Sequence, residues 1–117
     1  MDNKKKILII EDNKEICDLI EMILSDRYEI AAYTEISSIP QSSDLNEFDL
    51  IICDFLIGSE NAGVVIESFP LKKYLIVTAL SVHHPQLQRL AERDNVSYLQ
   101  KPFDVAELIK IVESIVG

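Results

Sequence analysis

Short apolar runs alternate along this chain with segments in which apolar residues recur every three or four positions. The first run is Ile7-Leu8-Ile9-Ile10, and a weaker one covers Tyr28 to Tyr33. The third is Leu50-Ile51-Ile52-Cys53, the fourth Tyr74-Leu75-Ile76-Val77, and the fifth Val96 to Leu99. Runs one, three and four are apolar at every position, which predicts strands covered on both faces by other elements.

Ile16, Leu19, Ile20, Ile23 and Leu24 follow the spacing of one helix face. Val105, Leu108, Ile109, Val112 and Val116 repeat that pattern near the C-terminus, where Asp104 and Glu107 form a capping-box start signal. Pro85 suits the first turn of another helix, with Leu87, Leu90 and Ala91 facing inward. Ile36 to Leu45 holds Pro40 and several serines, so a short or irregular helix is expected there. The helix between Gly63 and Lys72 is cut off by Pro70 and has room for about two turns. Strands alternating with helices imply right-handed crossovers and an α/β fold: a five-stranded parallel sheet flanked by helices on both faces. No linker or repeat interrupts it, so residues 1–117 are read as one domain.

Charge narrows the functions. With 11 Lys and Arg against 20 Asp and Glu, the net charge is −9. That balance argues against direct nucleic-acid binding. No apolar stretch approaches the roughly 20 residues of a membrane span, and no signal peptide is visible, so the expected location is cytoplasmic. Cys17 and Cys53 lack metal-ligand spacing and read as buried small hydrophobes in a reducing compartment. Adjacent His83 and His84 point in different directions before a helix start, which suits a loop better than a metal site. Lys4-Lys5-Lys6 reads as a solvated terminus.

In open parallel sheets, ligands bind beyond the carboxyl ends of the strands. The residues at those ends are Glu11 and Asp12 after the first strand, Asp54 after the third, Thr78 after the fourth and Lys101 after the fifth. Crowded acids raise one another's pKa, and a hard divalent cation relieves the conflict. Mg²⁺ prefers oxygen ligands. Asp12 and Asp54 are candidate direct ligands, Glu11 a holder of metal-bound water, and Lys101 a neutralising charge. Such a site suits phosphoryl transfer, which depends on positioning and charge stabilisation. Asp54, after the most continuously apolar strand, is the candidate nucleophile. Read singly, Glu11, Asp12 and Asp54 are also ordinary helix caps, and Thr78 and Lys101 ordinary strand-end residues.

The set Glu11-Asp12, Asp54, Thr78-Ala79 and Lys101-Pro102-Phe103 resembles the receiver domains of two-component response regulators over essentially the whole chain. The resemblance implies the (βα)5 flavodoxin-like receiver fold. It implies that Asp54 accepts a phosphoryl group from a histidine kinase or phosphotransfer protein. Glu11, Asp12, Asp54 and the Leu56 backbone carbonyl would hold Mg²⁺. Thr78 would give its hydroxyl to the phosphoryl group, Ala79 would leave room, and Lys101 would pair with the oxygens. Lys101-Pro102 would be a cis peptide. Tyr98 matches the family's switch aromatic, turning inward as Thr78 moves and reshaping the face of the fourth helix, fifth strand and fifth helix. Homodimerisation through that face is compatible with the resemblance.

Departures from the pattern cluster after Asp54. Receivers usually carry proline four residues beyond the phosphoacceptor, and here Gly58 stands there, so a more mobile loop is expected. The stretch from Gly63 to Thr78 is shorter than is common. Leu56 and Leu80, two residues past Asp54 and Thr78, cannot hydrogen-bond an attacking water, which implies slow loss of the phosphoryl group. Leu56 also replaces the second acid that a haloacid-dehalogenase-type phosphatase needs, which argues against turnover on an external substrate. Only three glycines are present and none forms a loop after the first strand, which argues against a dinucleotide fold. The competing reading is an unphosphorylated pseudo-receiver serving as a scaffold or dimerisation module. Met1 fits a stand-alone protein or an N-terminal receiver, and the end at Gly117, just after the last helical pattern, fits either a stand-alone receiver or a piece of a longer regulator or hybrid kinase.

Overall fold

The computed structural model describes residues 4–39, 45–81 and 83–117. Strand β1 (Lys6–Ile10) leads to helix α1 (Lys14–Leu24), then β2 (Glu29–Tyr33). β3 (Leu50–Cys53) is followed by a small hairpin, β4 (Leu56–Ile57) and β5 (Glu60–Asn61), and by α2 (Ala62–Ser68). β6 (Tyr74–Thr78), α3 (Pro85–Ala91), β7 (Val96–Gln100) and α4 (Val105–Val116) complete the chain. Five strands form a parallel sheet in the order β2-β1-β3-β6-β7. The strand order reverses at β1, so the switch point lies between β1 and β3.

Alternate strand residues feed two cores. Leu8, Ile10, Ile51, Cys53, Tyr74 and Ile76 face one side, with Ala62, Val65 and Ile66 of α2 and Leu87 of α3. Ile7, Ile9, Leu50, Ile52, Leu75 and Val77 face the other, with Cys17, Ile20 and Leu24 of α1 and Leu108 and Val112 of α4. The continuous apolar runs are therefore needed on both faces. Both cysteines are free and buried.

In the crossover after β2, two 3₁₀ turns, Ile36–Ser38 and Leu45–Glu47, stand among the described residues where an irregular helix was expected. Pro40 lies outside the described residues. α2 has seven residues and ends before Pro70. The capping box of Asp104 and Glu107 is formed in both directions, at 2.8 and 3.1 Å.

Two expectations about facing are corrected. Leu19 is 40% exposed. The stripe that α1 buries is Cys17-Ile20-Leu24, and Leu19 lies roughly 130° round the helix from its centre. Val105 is also half-exposed, because it occupies the first turn of α4, outside the stripe of Leu108 and Val112. Thr78 ends β6 rather than following it, because it pairs with Gln100.

The segment after Asp54, expected to be a mobile loop, is folded as a hairpin. Ile57 pairs with Glu60, leaving Gly58-Ser59 as a two-residue turn. Gly58 has φ +62, and among the described residues no non-glycine has positive φ. That pattern is the one glycine-first hairpin turns require.

The Tyr74 ring is fully buried, and its hydroxyl donates to the carbonyls of Phe69 at 2.7 Å and Val65 at 3.2 Å. It ties the end of short α2 to the central sheet. Tyr74→Phe should lower unfolding stability by about 1 kcal/mol. Urea denaturation checks this, with an unchanged midpoint refuting it.

Candidate functional site

The carboxyl ends of β1 and β3 meet at the switch point. Ile10 and Cys53, the last residues of the two strands, are in register. The next residues, Glu11 and Asp54, therefore leave the sheet side by side. The backbone N–H of Asp54 donates to the Ile10 carbonyl at 3.1 Å and that of Glu11 to the Tyr33 carbonyl at 3.0 Å. The ladder thus continues one step beyond the strands and fixes where both acids start.

Glu11 is 2% exposed, an unusual position for a carboxylate. One oxygen accepts from Lys101 Nζ at 2.5 Å and the other from the Asn13 backbone N–H at 3.1 Å. Burial pushes its carboxyl above the ordinary range, against the pull of the Lys101 hydrogen bond. Lys101 Nζ also reaches Asp54 Oδ2 at 2.9 Å. Burial acts to lower the Lys101 pKa, but the hydrogen bonds to Glu11 and Asp54 outweigh it, and the ammonium is held protonated above its usual range. Next to this pair the Cys53 thiol is pushed up to about 12 by burial first and by the charges of Asp54 and Glu11 second. It is not a nucleophile at neutral pH.

Asp12 is exposed, and its Oδ2 accepts from the Gly58 N–H at 3.3 Å. Ligand atoms of Glu11, Asp12 and Asp54 all lie within 4.8 Å of one another. Three carboxylates gathered so tightly form an all-oxygen donor set that suits a hard divalent cation. Leu56 opens β4, its side chain half-exposed and its N–H directed to Asp54 Oδ1 at 3.4 Å.

Thr78 is buried, and its hydroxyl accepts from the Leu80 N–H at 3.4 Å. The Thr78 carbonyl accepts from the Lys101 N–H at 2.8 Å, which pins the base of the lysine to β6. Lys101-Pro102 is cis. Tyr98 packs against the core beneath α3, and its hydroxyl donates to the Leu80 carbonyl at 2.5 Å. The structure thus brings Glu11, Asp12, Asp54 and Lys101 into one cluster. Thr78 and Tyr98 lie on the next two strands, joined through Leu80.

Sequence reasoning missed two contributors. Asn13 caps α1 through its side chain, bonding Ile16 N–H at 3.1 Å, while its own N–H steadies Glu11. An asparagine just before a helical pattern was the available signal. Gly58-Ser59 was a legible hairpin turn. His84 lies in the loop just before α3, where it is half-buried with its ring 5.4 Å from that of Phe55. No helix among the described residues is long and apolar enough to cross a membrane.

Fold and site together define an open, doubly wound α/β protein with an acid–lysine cluster at its switch point. The family model for the response regulator receiver domain matches residues 7–113, and the chain belongs to that family. Among relatives, regulatory protein VanRB of Enterococcus faecalis is 30% identical over 115 residues, covering 94% of this chain and 51% of that protein. Transcriptional regulatory protein PdtaR of Mycobacterium tuberculosis is 28% identical, covering 93% and 55%. The chain spans about half the length of the curated relatives it matches. Among solved structures, the non-phosphorylated HemR receiver domain of Leptospira biflexa superposes with a TM-score of 0.82 at 23% identity, covering 97% of this chain and 95% of that one. Chemotaxis response regulator CheY4 of Vibrio cholerae gives 0.79 at 19%, covering 97% and 99%. These two likenesses speak to the fold.

Removing the ammonium leaves Glu11 buried with no cationic partner. Lys101→Met should lower stability at neutral pH by about 3 kcal/mol. The deficit should narrow on acidification, because the raised Glu11 carboxyl then takes a proton and its own charge no longer stays buried. Denaturant unfolding at pH 7.5 and pH 5 tests the sign, and a deficit that widens at the lower pH contradicts it.

Proposed function

We propose that this domain is a phosphorylation-dependent switch in two-component signalling and that Asp54 is its phosphoacceptor. The observation that carries the reading is the position of Lys101 Nζ, bonded to both Glu11 and Asp54 beside a third carboxylate at the switch point. A carboxylate oxygen of Asp54 attacks the phosphorus of a phosphohistidine on a histidine kinase or phosphotransfer protein. The P–N bond breaks, the imidazole leaves and takes up a proton, and an acyl phosphate forms on Asp54. The fit of three hard oxygen donors supports Mg²⁺, held by Glu11, Asp12, Asp54 and the Leu56 carbonyl, which when bound offsets the negative charge of the transferring group. Lys101 turns from the carboxylates to the phosphoryl oxygens, so one positive charge serves both states.

Thr78 offers its hydroxyl to the phosphoryl group and must leave the Leu80 N–H to do so. Leu80 in turn holds the Tyr98 hydroxyl, so the move reaches Tyr98 through one residue. The surface of α3, β7 and α4 then changes its affinity for a partner, an attached output domain or a second copy. On this reading residues 1–117 are one cytoplasmic receiver that performs its own phosphoryl transfer without turnover on an external substrate.

Intact-mass spectrometry after incubation with acetyl phosphate tests the chemistry. A single phosphoryl adduct is expected, dependent on Mg²⁺ and absent in Asp54→Ala. Folded wild-type protein without an adduct points instead to a pseudo-receiver that binds partners unmodified.

Leu56 and Leu80 flank the reacting group without a polar atom in their side chains. The double variant Leu56→Asn, Leu80→Glu should lose its phosphoryl group faster, by up to about a hundredfold, the lower end of what a positioned acid–base group contributes. The half-life of the adduct reads this directly, and equal or slower decay counts against it.

A further inference from the structure

Each carboxylate of the cluster has its own holder. Lys101 and Asn13 fix Glu11, and Lys101 and Leu56 fix Asp54. Asp12 is the exposed member, a short side chain that repulsion from two neighbouring acids would swing into solvent. Its holder is the backbone N–H of Gly58, at 3.3 Å across 46 residues of sequence.

The hairpin aims that N–H. Ile57 is 4% exposed and anchors β4 in the core, and the Ala62 N–H closes the base on the Phe55 carbonyl at 2.8 Å. The φ of +62 at Gly58 turns the tip back toward β1. No atom lies within 4 Å of where a Cβ would stand, so backbone conformation rather than crowding calls for glycine. An open cleft of about 490 Å³, bordered by Asp12 and Gly58, separates the hairpin from Thr34, Glu35 and Ser37. At the edge of that cleft the Gly58 N–H to Asp12 bond ties the tip to the body of the domain.

We infer that Gly58 is a positioning residue for the cation site: its N–H holds Asp12 facing Glu11 and Asp54, and cation binding and hairpin conformation are thereby coupled. The inference rests on the reading of the cluster as a Mg²⁺ site. Coupling is reciprocal, so loosening the tip weakens the cation and adding the cation alters the tip. A proline at this place has no N–H to give.

Mg²⁺ titration followed by amide NMR tests this on the full chain. In the wild type the amides of Asp12, Asp54 and Gly58 should shift together with one dissociation constant. Gly58→Asn keeps the N–H and tolerates positive φ, and should bind within about twofold of wild type. Gly58→Pro should bind about tenfold more weakly, in line with loss of a group that orients a metal ligand. Because proline also disturbs the turn, glycolic acid in place of Gly58 supplies the second variant, replacing the N–H by an ester oxygen, and it too should lose about tenfold. Wild-type affinity in the ester variant, with Gly58 silent while Asp12 and Asp54 shift, overturns the inference and leaves the cation reading intact. No shift at any site amide in the wild type overturns both.

Discussion

Placing several like charges at the end of a buried sheet is the constraint that organises this domain. Every face of β1, β3 and β6 is covered, so charged groups are tolerated only where the strands stop. Glu11 follows a fully buried isoleucine and is itself 2% exposed. Its charge is tolerable because Lys101 arrives from β7, at the far end of the strand order, and spans the gap with its long stem. That arrival requires β7 to pair with β6 in its observed register, with the Lys101 N–H fixed on the Thr78 carbonyl. Register, strand order and site electrostatics are thus one requirement.

The same arrangement supplies a route outward from the site. Thr78 ends the strand next to Asp54's, and its hydroxyl is occupied by the Leu80 N–H. The Leu80 carbonyl holds Tyr98 on the edge strand. On the proposed reading, a change in what Thr78 bonds to reaches Tyr98 through the two peptide groups that flank Leu80.

Much of this was legible in the sequence, and the limits were physical. The strands of the central sheet announced themselves because burial on both faces demands unbroken apolar runs such as Ile7–Ile10. The acids and Lys101 were legible because parallel sheets bind at one edge, so position in the chain translates into position in space. Facing was less readable. Leu19 fits a helical face as well as Cys17 does by spacing, and only the shape of the sheet selects the stripe that is buried. The hairpin was missed because glycine signals both freedom and a specific positive φ, and pairing partners decide between them.

A structural explanation of the acid–lysine cluster fares poorly on energetic grounds. Desolvating two carboxylates and an ammonium costs several kcal/mol per ion, and apolar residues of similar volume usually replace such groups without loss of stability. The fold does not need them either, since two apolar cores already cover the sheet. Yet the chain keeps Glu11 and Lys101 in the most buried part of the edge and spends Asn13, Leu56 and Gly58 backbone groups on orienting the acids. Side chains that are expensive to bury and individually restrained are what a site that must respond to an incoming charge requires. On the proposed reading, a bound divalent cation relieves the crowding. In the form described here, Lys101 is the counter-charge that keeps the site folded while it waits.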